Sequence, residues 1–128
     1  MENGRIKILK NQTKLIWARC SVGQKWEDGH CSGTIKNFSF DDAQKQASNG
    51  WRVPTKDELA SLIDHDHKGF PTIDSTAFPD MDELYPWYWS STSNGVTIAW
   101  YVDFKDGYTS GFLSKSSPFA VRLVRSEQ

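Results

Sequence analysis

Four strand-like runs follow one another at the end of the chain with almost nothing between them. Trp87-Tyr-Trp-Ser-Ser-Thr92, Val96 to Phe104, Tyr108 to Leu113 and Phe119 to Val124 are separated only by Ser93-Asn94-Gly95, Lys105-Asp106-Gly107 and Ser114 to Pro118. Connections this short suit hairpins, because parallel neighbours need a crossover of a dozen or more residues. The expectation is an antiparallel meander. It is an aromatic one: six Trp, four Tyr and seven Phe among 128 residues supply large buried areas where the apolar share is only 38%.

The first half has a different texture. Arg5-Ile-Lys-Ile-Leu and Lys14-Leu-Ile-Trp-Ala read as two strands around a turn at Asn11-Gln12-Thr13. Ser39 is an N-cap for a first helix over Phe40 to Ala47, stopped by Asn49-Gly50. Thr55 and Glu58 form a capping box, and Leu59, Leu62 and Ile63 line one face, so a second helix is expected from Lys56 to Asp64. His65 to Pro86 holds Pro71, Pro79 and Pro86 with little periodicity and reads as a long, pinned loop. Helices early and strands late give an α+β class: a single domain over 1–128, with two short helices on a twisted antiparallel sheet and the N- and C-terminal strands paired.

Two cysteines, Cys20 and Cys31, bracket a short polar segment with an Asp28-Gly29 turn signal. The spacing suits a disulfide-closed hairpin, and two free thiols are the other reading. Lys and Arg number 15 against 16 Asp and Glu, a net charge of −1 with no long run of either sign, so nucleic acid is not an expected partner. No stretch approaches a membrane span, and Met1 to Lys10 shows no apolar leader core.

The order of motifs carries further information. Lys14-Leu-Ile-Trp-Ala-Arg-Cys20-Ser-Val-Gly-Gln-Lys-Trp26, Cys31-Ser-Gly33, Trp51-Arg-Val-Pro-Thr-Lys-Asp-Glu-Leu59, Ile73-Asp-Ser-Thr-Ala-Phe-Pro79, Tyr88-Trp-Ser-Ser-Thr92, Ala99-Trp-Tyr-Val-Asp-Phe104, Asp106-Gly107 and Val121-Arg-Leu-Val-Arg125 resemble, in sequence, the C-terminal domain family of the Legionella collagen-like adhesin. That resemblance implies a C-type-lectin-like superfold, distantly related to the formylglycine-generating enzyme and to the variable proteins of diversity-generating retroelements. It also implies a binding domain of an exported bacterial or phage protein (periplasmic, secreted or virion-associated), a trimeric assembly, and a taste for sulfated polysaccharides. Residue by residue, it makes Cys20 and Cys31 a disulfide pair and places Trp51, Arg52, Pro54, Trp89, Ser90 and Arg122 in the framework. The sequence contains no collagen-like tract and no Glu-Pro-Asn or Trp-Asn-Asp triplet of the calcium-dependent sugar-binding lectins.

Chemistry-bearing residues are few. Ser90, Ser91 and Thr92 offer hydroxyls and His30, His65 and His67 offer bases, but a hydroxyl in an aromatic strand more commonly serves the sheet, and no enzyme is expected. Asp64-His65-Asp66-His67 is the most metal-like run and also an ordinary helix exit; Asp103 with Asp106 is a calcium candidate without EF-hand spacing, so no metal or cofactor is expected. Alternation assigns Trp89 and Trp100 to the core and leaves Trp87, Tyr101 and Tyr108 as an exposed platform. Lys105, Asp106 and Lys115 on the adjoining turns complete the candidate ligand site. Arg122, between Val121 and Leu123, is expected to pair with Asp57 or Glu58. The functional expectation is a non-catalytic module binding a glycan, including a sulfated polysaccharide, or a cell-surface ligand. A dedicated protein-interaction partner, immunity-like or adaptor in kind, using the same face is the alternative.

Overall fold

In the computed structural model, residues 4–10, 13–66, 70 and 72–126 are described. The chain runs β1 (Arg5–Lys10), β2 (Thr13–Ala18), β3 (Gln24–Glu27), β4 (His30–Gly33), α1 (Phe40–Gln44), α2 (Lys56–Ala60), β5 (Trp87–Ser93), β6 (Ile98–Asp103), β7 (Tyr108–Ser114) and β8 (Val124–Ser126). These make three antiparallel sheets, β1-β2-β8, β3-β4 and β5-β6-β7. The class is α+β, and the terminal strands share a sheet as the sequence predicts. Asn11 and Gln12 of the expected first turn lie outside the described residues.

The meander has three strands rather than four. Phe119 to Leu123 leaves the β5-β6-β7 sheet and threads between elements: Phe119 exchanges backbone bonds with Phe38, Ala120 bridges Trp87 and Trp89, Val121 accepts from Val22, and Leu123 accepts from Ala18. Val124 then pairs with Arg52 on one side and enters β8 beside β2 on the other. A strand run of apolar residues with backbone groups satisfied by five separate segments is a crossover, and sequence periodicity does not distinguish it from a sheet neighbour.

The β5-β6-β7 sheet is covered on both faces. Val102, Phe104 and Tyr88 pack with Leu59, Leu62 and Phe78 in the cluster under α2, whereas Ala99, Tyr101 and Trp89 pack with Phe40, Ala43 and Phe119 under α1. Both helices are shorter than periodicity suggests. Ser39 caps α1 as expected, but the helix stops at Gln44. The Thr55–Glu58 capping box forms, and Arg52 grips the same Glu58 carboxylate at 2.6 and 2.9 Å. After Ala60, the Ser61 hydroxyl donates to the Glu58 carbonyl at 2.5 Å and the chain turns, bringing Leu62 and Ile63 into the core without a further helical turn.

Cys20 and Cys31 are joined in a disulfide, with Cα atoms 5.6 Å apart. The β3-β4 hairpin it anchors turns at Asp28 (φ 51°) and Gly29 (φ 82°), two consecutive left-handed residues whose twist suits a two-residue hairpin. The hairpin holds part of the long connection in place. Arg19 stacks its guanidinium 4.1 Å from the Trp26 ring and donates to the carbonyls of Ala77 and Thr76, both at 2.8 Å. The Cys31 N–H donates to Asp80 Oδ2 at 2.8 Å.

Arg122 corrects the expected pairing with Asp57 or Glu58. It is 1% exposed and donates to the carbonyls of Ala18 (3.1 Å) and Arg19 (2.6 Å) and to the Tyr88 hydroxyl (3.4 Å). Its guanidinium lies 4.8 Å from the Phe78 ring and 5.3 Å from the Tyr88 ring. Burial pushes its pKa down, and the Tyr88 hydroxyl opposes that. Glu58 is unavailable to it because Arg52, six residues away in sequence, already forms the bidentate pair.

Candidate functional site

Register across the β5-β6-β7 sheet sets three side chains in a row. Trp87 is opposite Asp103, and Asp103 is opposite Tyr108, so all three project from one face at one end of the sheet. The next row inward on that face is Trp89, Tyr101 and Ser110. Tyr85, two residues before Trp87 across Pro86, leans edge-on against the Trp87 ring at 5.3 Å, and Trp87 meets Tyr101 at 6.2 Å. Tyr85 and Tyr108 are 62% and 58% exposed.

Asp103 lies at the centre of this corner and is only 9% exposed. Its Oδ1 accepts from the Lys105 N–H at 2.8 Å, but no ion pair reaches its carboxylate among the described residues. The indole N–H of Trp87 is near enough to help hold the carboxylate charge, yet it is buried without an aligned hydrogen-bond acceptor. Burial pushes the Asp103 carboxyl above its ordinary value; the Lys105 N–H pulls the other way, and Asp106 adds to the rise. Tyr101 is likewise raised, first by burial and then by the charge of Asp103.

The platform expected from alternation is therefore redistributed. Tyr101 is buried, 7% exposed, with Phe119 stacked on it at 4.9 Å. Trp87 is half-buried against Phe119, at 5.3 Å. Trp100, expected in the core, instead lies on the opposite face, half-buried between Lys56, whose Nζ is 4.8 Å from the ring, and Gly111. A Cβ at Gly111 would come within 2.4 Å of Trp100 Cε2, so that ring dictates the glycine. β6 itself alternates without interruption, Ala99, Tyr101 and Asp103 on one face and Trp100 and Val102 on the other, and because both faces of the sheet are covered, alternation does not say which side chains are buried.

Of the expected site residues, Lys105, Asp106 and Tyr108 are exposed on the β6–β7 turn beside Trp87. Lys115 does not join them. It sits past the far end of β7, its N–H bonded to Thr97, with Nζ donating to the Gly95 carbonyl at 3.0 Å and lying 5.1 Å from the Phe40 ring. The length of six-residue β6 separates the two lysines by roughly 20 Å. Tyr85 was missed, although an aromatic pair flanking Pro86 in extended chain is a readable signal that both rings share a side.

The other candidates are committed elsewhere. Ser90 is fully buried, donating to the Trp100 carbonyl at 2.7 Å and accepting from the Thr92 N–H. His30 and His65 are exposed, and His67 lies outside the described residues. Asp64 accepts from the Asp66 N–H, and Asp106 accepts from the Tyr108 N–H, each as a turn-forming carboxylate. Among the described residues no group of three or more His, Cys, Asp or Glu side chains converges as a metal would require, and no helix is long and apolar enough to cross a membrane.

No curated protein sequence matches this chain. The model of one domain family does, over residues 7–125, a span that takes in most of both terminal strands, the disulfide hairpin, both helices and the aromatic corner. On that match the chain belongs to the Lcl C-terminal domain family.

Proposed function

We propose that this domain is a non-catalytic recognition module of an adhesin-associated family and that it holds a glycan or another cell-surface group at the Tyr85–Trp87–Asp103–Tyr108 corner. The observation that carries the reading is the exposure of Tyr85 and Tyr108 beside a half-buried Trp87 on a sheet packed from both sides. Aromatic faces stack on the apolar faces of sugar rings, and a rigid support keeps the ordering cost of binding low. Asp106 and Asp103 supply hydroxyl acceptors, and Lys105 is the one ammonium among the residues of the corner. Two carboxylates against one ammonium favour a neutral or amine-bearing ligand over a sulfated one.

The Cys20–Cys31 disulfide supports an extracytoplasmic setting, periplasmic, secreted or virion-associated. Ser90, whose hydroxyl is bonded to a backbone carbonyl, supports holding a ligand over transforming it. A glycan array that includes sulfated chains, read at several salt concentrations, tests the reading. Binding of unsulfated glycans, lost in Tyr108→Ala, is expected; silence across the array at every salt concentration would count against the carbohydrate version.

A protein partner is the second reading, and it falls on the other end of the same sheet. Val96 is 91% exposed and Phe112 77%, on segments joined by the Asn94 side chain bonding to the Gly111 carbonyl. Exposed apolar groups there suit a protein surface, a second copy included. Mass measurement in solution for the native chain and for Phe112→Ser tests it, with self-association lost in the variant as the expected result.

A further inference from the structure

Asp103 is a carboxylate enclosed among aromatic rings without a cationic partner. Cross-strand register puts Trp87 on one side of it and Tyr108 on the other, and Tyr101 lies two residues behind on the same face. Tyr85 closes the outer side against Trp87. Asp103 is 9% exposed as a residue; its carboxylate accepts the Lys105 N–H, and the Trp87 indole N–H lies close beside it. Burying a charge without a counter-charge costs several kcal/mol in general unless hydrogen bonds offset it, as three internal oxygens do for Arg122. Lys105 is close enough to influence Asp103 but does not form an ion pair with it.

A carboxylate flanked by aromatic faces is the chemistry that recognises an organic cation too poorly hydrated to prefer water. Methyl groups on nitrogen remove the hydrogen bonds that hold an ammonium in solvent and spread its charge over a shell that packs on rings. The Trp87 indole N–H, buried beside the carboxylate, helps hold the anion that would face such a group.

We infer that the Asp103 corner binds a methylated ammonium group, with Asp103 as the counter-charge and Trp87, Tyr108 and Tyr85 as the enclosing rings. This deepens the recognition reading and rests on it: the cell-surface ligand carries a quaternary or methylated amine. Tyr85 and Tyr108, the two exposed rings, close over the group, and Tyr101 forms the floor with Asp103.

The test uses choline and its uncharged carbon isostere, in which a tert-butyl group replaces the trimethylammonium, titrated against the full chain while the tryptophan indole N–H signals are followed by NMR. Trp87→Phe identifies the Trp87 signal. Choline is expected to shift that signal and to bind about tenfold more tightly than the isostere, a difference of the size cation–π contact and a counter-charge supply. Asp103→Asn keeps the shape and the acceptor for the Lys105 N–H, and is expected to lose that tenfold preference while retaining the native melting transition. Equal binding of choline and isostere by the native chain, or an undiminished preference in Asp103→Asn, overturns the inference. A neutral saccharide that shifts the Trp87 signal where choline does not would overturn the cation class alone; no shift from any glycan of the array or from choline removes the recognition reading with it.

Discussion

Arg122 and Asp103, two of the three charged residues buried among the described ones, are buried in opposite ways. Arg122 is enclosed at 1% exposure between the rings of Phe78 and Tyr88, with backbone carbonyls of residues 18 and 19 at the ends of its N–H groups. Asp103, at 9% exposure, also lies among rings, yet it faces the surface and accepts one backbone N–H. The cation ties the crossing segment to the end of β2; its partners are part of the fold. The anion ties little beyond its own turn. Neither has an ion-pair partner among the described residues; the difference is that three internal oxygens meet the N–H groups of Arg122, whereas Asp103 faces the surface, where the proposed cation would supply its counter-charge.

That contrast is open to attack at several points. Arg122→Met keeps much of the volume but strands the Ala18 and Arg19 carbonyls, and urea unfolding is expected to show a loss of about 3–5 kcal/mol; a loss no larger than that of an average surface substitution would mean the cage is not structural. Replacing both cysteines by serine opens a loop of sequence separation 11 beside those same carbonyls and is expected to cost about 2–3 kcal/mol.

The Arg52–Glu58 pair is the intermediate case, partnered but partly solvated. Thr55→Ala removes one half of its capping box and should cost about 1 kcal/mol by thermal melting. Glu58 is held below the ordinary glutamate range first by its bond to Arg52, with burial opposing and the Thr55 N–H assisting. Its contribution is therefore fully present above the unfolded-state value and is lost as pH falls through the depressed one, so Glu58→Gln should differ from the native chain near neutrality and converge with it in acid. The smallest effect is expected at Asp103. Its folded-state value is raised, so it favours folding below the unfolded-state value, and that contribution is lost as pH rises through the raised one. Asp103→Asn should accordingly leave the neutral-pH melting temperature unchanged or raise it, by up to about 1 kcal/mol of stability. A large loss would place Asp103 with Arg122 in the framework.

Local signals are the more readable ones, although the pairing of the terminal strands is legible as well. The Thr55–Glu58 box, the Ser39 cap and the Asp28-Gly29 turn each depend on residues within three positions of one another, and each forms as the sequence predicts. α2 is shorter than the spacing predicts because Leu62 and Ile63 reach the core through tighter i→i+3 turns on Leu59 and Ala60. The site was half legible. Lys105, Asp106 and Tyr108 lie together because one hairpin turn carries them and Trp87 reaches them through its register with Asp103, whereas the burial of Tyr101 and the half-exposure of Trp100 depend on what covers each face, which alternation does not record. Lys115 is near in sequence, but β7 lies between and carries it to the far end of the sheet. The partners of Arg122 are carbonyl oxygens, which every residue carries and which therefore leave no trace in a sequence.

The β1-β2-β8 sheet has a mechanical consequence. Both outer strands run antiparallel to β2, so they run parallel to each other, with Arg5 level with Ala18 and Ser126 level with Leu15. Tension applied between Arg5 and Ser126 pulls β1 and β8 in opposite directions along their own axes. The hydrogen bonds on both sides of β2 lie across that line and are loaded together, in shear, instead of being peeled open one after another. A domain tethered through these two strands would yield when one of the two ladders shears as a unit, and its lifetime under load would follow that unfolding barrier.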